Sequence, residues 1–406
     1  MTSRCIIIGA SHAAAQLAPN LRQEGWTGEI LAIGDEPHLP YHRPPLSKTF
    51  LVGNKSADDL LIRPQAFYDK SDVTFHVGHV SSINRGDQTV TLESGERFDY
   101  DKLAICTGAR VRKISFPGNA LQGIHYLRNI ADVQAIQKEV GKDKRVVIIG
   151  GGYIGLETAS AMNKMGMDVT VLEMASRVLQ RVTAPQLSAF YKRIHSEEGV
   201  KIHTCVSISK VRGETRVEQV VCDDGSTYPA DIVVIGVGVI PNVELAQGAG
   251  LKINNGILVD QLCRTNDPNI FAAGDCTRHF NKIYGRDIRL ESVPNANEQA
   301  KVAASSICGS DKEYNSLPWF WSDQYDLKLQ IAGLSEGYDE VLIRGDSNAG
   351  RSFAAFYLKK GKLIATDCIN RPQEFMLSKK IISQQLSFDP TRLVDEAISV
   401  KELIQS

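Results

Sequence analysis

The residues best placed to do chemistry in this 406-residue chain lie between Arg145 and Glu157, in the run RVVIIGGGYIGLE. Four apolar residues, Val146 to Ile149, lead into Gly150-Gly151-Gly152-Tyr153-Ile154-Gly155. A helix-like stretch follows, and a second strand, Asp168 to Leu172, ends at Glu173, 23 residues after Gly150. Strand, glycine turn, helix, strand and acid in that order make a dinucleotide site. Gly150 permits the tight turn, Gly152 lets the main chain approach a pyrophosphate, and Gly155 lets the helix pack close to the sheet. The helix start offers unpaired N–H groups and a positive dipole end to the phosphates. Glu173 is placed to bond the ribose diol of NADH and to repel the extra phosphate of NADPH. Arg177, four residues on, is a cation that could soften that discrimination.

A weaker copy opens the chain. Arg4 to Ile8 is an apolar strand leading into Gly9-Ala10-Ser11-His12-Ala13-Ala14. Only the first glycine survives, and Ala14 is a tolerated substitute for the third. Ser11 puts a side chain where the pyrophosphate should pass. Pro19 falls inside the expected helix, where it removes a hydrogen bond and kinks the chain. The next strand, Glu29 to Ile33, ends at Gly34-Asp35-Glu36, and either acid could bond an adenosine ribose. Two such units suggest two bound nucleotides, with electrons passing from one cofactor to the other.

The elements that position these turns belong to a chain long enough for two or three domains, with 43% hydrophobic residues to fill their cores. The 46 basic and 47 acidic residues nearly cancel, which argues against nucleic-acid or membrane-surface binding. No apolar run approaches the ~18 residues of a membrane helix. The first strand starts so soon after Met1 that no room is left for a signal or transit peptide, and a cytoplasmic location is expected. The eight cysteines form no CxxC or CxxxxC pair. That spacing offers no redox-active disulfide, no zinc or other metal site and no iron–sulfur centre, so any electron carrier held by this chain should be organic.

After Asp35 comes a proline-rich loop, then Pro44-Pro45-Leu46-Ser47-Lys48. Ser47 reads as the N-cap of a short helix towards Leu51, which places Lys48 where the helix dipole disfavours a cation. Strands follow at Val73 to Val77, Thr89 to Glu93, Arg97 to Tyr100 and Lys102 to Cys106, with Thr107-Gly108 after the last. Helices are expected at Ile130 to Val140 and Ala184 to Glu198, and strands at Lys201 to Cys205, Val217 to Cys222 and Asp231 to Gly236. From Leu317 the texture changes to an aromatic cluster, Trp319-Phe320-Trp321. Four strands at Leu327 to Ile331, Glu340 to Ile343, Arg351 to Leu358 and Lys362 to Cys368 then suggest an antiparallel sheet, with helices closing the chain.

Thr107-Gly108, the Gly236–Asn242 loop and Thr265–Asp275 resemble landmarks of flavoprotein pyridine-nucleotide reductases of the glutathione-reductase fold. Pro44–Lys48, Glu291-Ser292-Val293-Pro294-Asn295-Ala296 and Pro318-Trp319-Phe320-Trp321-Ser322-Asp323-Gln324 narrow the resemblance. They are similar to the FAD-dependent NADH:ferredoxin reductases that serve bacterial cytochrome P450s and ring-hydroxylating dioxygenases. The resemblance covers essentially the whole chain. It implies an α/β, glutathione-reductase-like fold with two Rossmann-type nucleotide-binding domains and a C-terminal α+β domain. The expected limits are an FAD domain of residues 1–112 and 242–316, an NADH domain of 113–241, and a C-terminal domain of 317–406.

Roles follow from the same resemblance. Bound FAD would be held by Gly9, Ser11, Ala14, Asp35 (favoured over Glu36), Thr107 and Gly108. Asp275 would bond the ribityl chain, Val293 would offer main chain to the pyrimidine end, and Arg128 and Val80 would contact the adenine side. Lys48 would lie by the flavin N5 with Glu157 facing it and the nicotinamide, and Trp321 would lie at the flavin edge. NADH would be held by Gly150, Gly152, Tyr153, Ile154, Gly155, Glu173 and Gly238. The implied reaction is hydride transfer from NADH to the flavin, then single electrons to two [2Fe–2S] ferredoxins, with a terminal oxygenase as the indirect recipient. His12 is not read as a base, because flavin hydride transfer needs none. Lys301, Lys328 and Arg371 would dock the acidic ferredoxin, with Lys301 and Arg371 mattering most and Trp321 between them. Competing functions on the same fold are an H2O2-forming NADH oxidase or quinone reductase, and a non-enzymatic flavoprotein like apoptosis-inducing factor.

Overall fold

The computed structural model describes residues 3–403. The chain forms two compact units. One takes the chain up to His42, Asp58–Arg110 and Val239–Pro318; the other takes Arg43–Ala57, Val111–Gly238 and the chain from Trp319.

The first unit is organised by a five-stranded parallel sheet in the order Ile270–Ala272, Lys102–Ile105, Arg4–Ile8, Glu29–Gly34, Val73–Val77. Its central strands are continuous apolar runs because both faces are covered. Helices His12–Gln23 and Val293–Ile307 cover one face through Leu17, Leu21, Ala300, Ala303 and Ala304. On the other face Ile6, Ile8 and Leu31 pack against Val80, Ile83, Val90 and Leu92 of a small antiparallel sheet. Each fully buried Leu or Ile contributes about 1.5–3 kcal/mol. Pro19 does not end the first helix, which runs on to Gln23 with the proline buried. The missing N–H costs the Ala15 carbonyl its helical donor, and burial of the surrounding apolar face keeps the helix intact.

The second unit repeats the design. Its parallel sheet runs Lys201–Thr204, Asp168–Glu173, Arg145–Ile149, Ile232–Ile235, Ile124–Tyr126. A five-stranded antiparallel sheet follows, in the order Trp319–Gln324, Leu327–Gly333, Lys362–Ile369, Ser352–Lys359, Glu340–Asp346, with helix Pro372–Gln384 after it. Two expectations are corrected here. The aromatic cluster is itself the edge strand of that sheet. Ser47 does not start a helix: it ends a 3-10 turn, Pro44–Ser47, and Lys48 follows at the C-terminal cap. The prolines set the turn early by fixing φ. Lys48 therefore stands at the end of the turn that favours a cation, the reverse of the expected placement.

Candidate active site: glycine turns and a buried ion pair

Both glycine turns are built by close approach of the main chain. Gly150 has φ +111°, and a Cβ there would sit 2.4 Å from the Gly236 carbonyl oxygen. Gly9 has φ +105°, and its Cβ would sit 2.2 Å from the Cys106 carbonyl oxygen. A Cβ on Gly155 would meet the Gly150 oxygen at 2.0 Å, whereas one on Gly152 would meet nothing. A Cβ on Gly152 would thus stand in open space, which leaves room beside the helix start for a bound group. The helices that follow, His12–Gln23 and Tyr153–Lys164, begin at Ser11 and Gly152 with no side-chain cap. Helix starts of this kind suit a pyrophosphate, because their first N–H groups have no partner within the helix. These residues fit dinucleotides. Ser11 is extended, like Gly152, so the serine is accommodated without backbone strain.

At the end of Asp168–Glu173, Glu173 Oε2 accepts the Gly151 N–H at 2.7 Å and Oε1 accepts that of Ala175 at 2.7 Å. The carboxylate is fixed with lone pairs to spare for a ribose diol. Arg177 is turned into its own loop, donating to Thr183 O, Ser188 Oγ and Gln180 O. Arg181 is the exposed cation nearby, with Nη2 3.8 Å from where a Gly238 Cβ would stand. It is a candidate phosphate contact that motif reading passed over. Tyr153 packs its ring on Phe320 at 5.1 Å, its hydroxyl is buried, and burial pushes the phenol well above its ordinary range. Any nucleotide contact from Tyr153 is therefore through main chain. Ile154 is exposed beside it.

The first turn differs in one respect. Ile8 pairs with Ile33, as Ile149 pairs with Leu172, so Gly34 occupies the place that Glu173 holds in the second unit. A Cβ on Gly34 would meet Ala10 Cβ at 2.5 Å. Asp35 lies one residue farther on and is exposed, while Glu36 accepts from the Tyr41 hydroxyl at 2.5 Å. Thr107 and Asn242 clasp each other through two 2.8 Å bonds, holding Thr107-Gly108 at the end of Lys102–Ile105. Gly274 donates to buried Gln299 at 2.8 Å, which fixes the turn presenting half-buried Asp275. Val293 opens its helix behind the Ser292 cap. Val80 is buried in the apolar cluster, so it too has only main chain to offer. His12 is buried, edge-on to His42 at 5.7 Å.

In the second unit, Arg128 accepts from Arg43 Nη1 through its carbonyl at 2.8 Å. Glu157, on the helix after Gly155, is 3% exposed and is met by three donors. Ser47 Oγ donates to Oε2 at 2.5 Å, Lys48 Nζ lies 2.6 Å from the same oxygen, and Ser322 Oγ donates to Oε1 at 2.6 Å. Lys48 also donates to the Pro44 carbonyl at 3.2 Å. The two residues expected to act together are thus a buried ion pair. Ser47 and Ser322 were missed as partners, although the alternation of the Trp319–Gln324 strand places Ser322 and Gln324 on its buried face.

The proposed docking residues differ in freedom. Trp319, Trp321, Asp323, Lys328 and Gln330 line an open groove on the antiparallel sheet. Lys301 pairs with Glu298 at 2.7 Å, both about half-exposed. Arg371 is held by Glu396 at 2.6 Å, Glu374 at 3.2 Å and Ser352 Oγ at 2.9 Å, so its charge is largely neutralised within the fold.

Known proteins place this arrangement. Residues 3–300 match the pyridine nucleotide-disulphide oxidoreductase family model, and residues 319–404 match the reductase C-terminal model. Putidaredoxin reductase CamA of Pseudomonas putida is 43% identical over 98% of this chain and 96% of its own. The ferredoxin–NAD(+) reductase component of the anthranilate 1,2-dioxygenase system of Burkholderia cepacia is 39% identical over 98% of both chains. The crystal structure of the covalent putidaredoxin reductase–putidaredoxin complex superposes with a TM-score of 0.96 at 42% identity, covering 99% of this chain and 98% of that one. The fold is therefore glutathione-reductase-like, and the chain is an FAD- and NADH-using oxidoreductase that belongs to the pyridine nucleotide-disulphide oxidoreductases and, within them, to the ferredoxin reductases.

Proposed function

We propose that this chain transfers electrons from NADH, through bound FAD, to a [2Fe–2S] ferredoxin that supplies a cytochrome P450 or a Rieske-type dioxygenase. The observation that carries the reading is the buried Lys48–Glu157 pair, with Glu157 in the first turns of helix Tyr153–Lys164, which begins at Gly152. Bound FAD supplies the capacity to accept a hydride and release electrons singly. The chain's residues do the rest. The two turns hold pyrophosphates at uncapped helix starts. Glu173 selects the unphosphorylated ribose. Glu157 holds the Lys48 ammonium in one place, and a fixed positive charge favours the reduced, anionic ring. Asp275, Thr107 and Gly108 retain the FAD. A reducing cytoplasm is the fitting location, since the eight cysteines are all unpaired.

For the partner, Lys328 beside the tryptophans is the cation best placed to steer an acidic ferredoxin, with Lys301 second and Arg371 weakened by its two carboxylates. Exposed charges of this kind accelerate encounter and lose their effect in salt. Steady-state turnover tests the whole reading. NADH oxidation should be slow in air alone and rise steeply with added [2Fe–2S] ferredoxin. Fast NADH consumption with stoichiometric H2O2, unchanged by ferredoxin, would identify an oxidase instead.

A further inference from the structure

The Glu157 carboxylate does not end at Lys48. From Oε1 a chain of side chains leads away through one strand, one helix and the turn after the strand. Ser322 Oγ donates to Glu157 Oε1 at 2.6 Å, Gln324 Nε2 donates to Ser322 Oγ at 3.3 Å, and His195 Nε2 lies 2.8 Å from Gln324 Oε1. The Tyr325 hydroxyl lies 3.4 Å from His195 Nδ1. Ser322, Gln324 and His195 are 0%, 2% and 0% exposed. The Tyr325 N–H donates to Ser160 Oγ at 2.9 Å, which ties this turn to the helix that carries Glu157. His195 sits on Pro185–Glu197, an element with no place in either nucleotide turn.

The carboxylate fixes the direction of every bond in this chain. An ionised Glu157 only accepts, so the single hydroxyl proton of Ser322 points at it. Ser322 must then accept, so the Gln324 amide presents its N–H2 to Ser322 and its oxygen to His195. That oxygen only accepts, so His195 carries its proton on Nε2. Burial lowers the His195 pKa, the Gln324 bond and the Glu198 charge opposing it, which leaves Nδ1 free to accept from Tyr325. Five residues, from two helices and one strand with the turn after it, thus agree on one polarity, with every donor directed towards Glu157.

We propose that His195 is a positioning residue for the Lys48–Glu157 pair, acting through Gln324 and Ser322 to hold Glu157 as an oriented carboxylate. The inference rests on the reading that this pair serves hydride transfer from NADH. Without the His195 donor, Gln324 is free to flip, Ser322 loses its orienting partner, and Glu157 keeps only the donors on Oε2. The pair should then spend less time in the geometry that hydride transfer needs, with little change in nucleotide binding at the glycine turns.

The test joins a spectroscopic readout to kinetics. In FAD-loaded protein labelled with 15N-histidine, the His195 signals, assigned by their loss in His195→Gln, should show the Nε2–H tautomer with no protonation between about pH 6 and 8. An Nδ1–H tautomer, or an imidazolium near neutrality, would overturn the proposal. In anaerobic rapid mixing, His195→Leu and Gln324→Leu should slow flavin reduction by NADH about three- to tenfold, with the NADH concentration at half-maximal rate changed by less than about twofold. His195→Gln, whose amide can donate from near the Nε2 position, should recover to within about twofold of the parent rate. A Leu variant as fast as the parent, or a Gln variant as slow as the Leu variant, would reduce His195 to packing. Lys48→Met, run in parallel, separates the two levels: if it reduces at the parent rate, the role of the pair fails, whereas the tautomer result stands or falls by itself.

Discussion

Replacing Glu157 by glutamine removes one charge at nearly constant volume, from a position where three donors converge. A glutamine offers one acceptor oxygen, so at least one of Ser47, Lys48 and Ser322 must face an N–H2 group. The Coulomb attraction between Lys48 and Glu157 at 2.6 Å, with an effective dielectric near 20, is roughly 6 kcal/mol. Desolvation of a carboxylate whose side chain is 2% exposed takes back most of it. Lys48 keeps 17% side-chain exposure and the Pro44 carbonyl, so its ammonium is less costly to strand than a fully buried one. A coupling of about 2–3 kcal/mol remains, in the lower part of the range for close buried pairs. Lys48→Met should cost less than Glu157→Gln, because Ser47 and Ser322 still donate to the carboxylate in the first, whereas the second leaves at least one donor facing an N–H2 group. The double variant should be more stable than the sum of the singles by that coupling. Urea unfolding of the FAD-loaded proteins, followed by tryptophan fluorescence with matched slopes, measures it. Additivity within about 0.5 kcal/mol would refute the reasoning. Both single variants should also slow flavin reduction by NADH while retaining FAD.

Four other outcomes follow. NADH should be preferred over NADPH by at least about tenfold in kcat/KM, since a third of the ~4 kcal/mol repulsion between Glu173 and a 2′-phosphate at 4 Å suffices and Arg177 is committed elsewhere; equal values would remove Glu173 from the ribose site. Gly152→Ala should fold normally, its Cβ meeting nothing, yet bind NADH more weakly, whereas Gly155→Ala should lose stability because its Cβ would stand 2.0 Å from the Gly150 oxygen; comparing melting temperature with NADH titration separates them. Asp275→Ala should lower FAD retention on dilution without the hydride-transfer defect of the Lys48 variant. Asp367 is buried, accepts from the Tyr357 hydroxyl, and is pushed by burial from 3.8 up to about 7. The unfolded chain releases this proton near pH 4 and the folded chain keeps it to about pH 7, so the contribution is fully present below pH 4 and falls away as pH rises to 7, by a few kcal/mol in order of magnitude. Asp367→Asn should flatten that part of the stability–pH profile, and an unchanged slope in urea unfolding would show that Asp367 ionises normally.

Both Rossmann-type sheets were legible because parallel strands covered on two faces must be apolar throughout, and glycine turns that need φ > 0 leave a fixed spacing. Most strand ends fell within a residue or two of their expected places, and the strand expected at Glu340 to Ile343 runs on to Asp346. What the sequence obscured were features decided by tertiary contacts. Ser47 looks like a helix cap by type, but the preceding prolines close a 3-10 turn first and free its hydroxyl for Glu157. Trp319–Gln324 looks like an aromatic cluster until its alternation is read as a strand, with Ser322 and Gln324 inward. Asp35 looks equivalent to Glu173 until strand register puts Gly34 in that place. Arg371 looks like a free docking cation in sequence, yet Glu374 is three residues on and Glu396 comes from a distant turn. His195 carries no motif at all, because its meaning lies in a chain of contacts between separate elements.

The most direct test of the account is anaerobic mixing of the FAD-loaded protein with one equivalent of NADH, followed by a [2Fe–2S] ferredoxin, with the flavin and iron–sulfur absorbance recorded together. The account predicts that NADH bleaches the flavin in the first phase. Ferredoxin should then restore it as two ferredoxins are reduced for each NADH consumed. A flavin that is reduced by NADH but passes nothing to any [2Fe–2S] ferredoxin, and is reoxidised only when oxygen or a quinone is admitted, would contradict it.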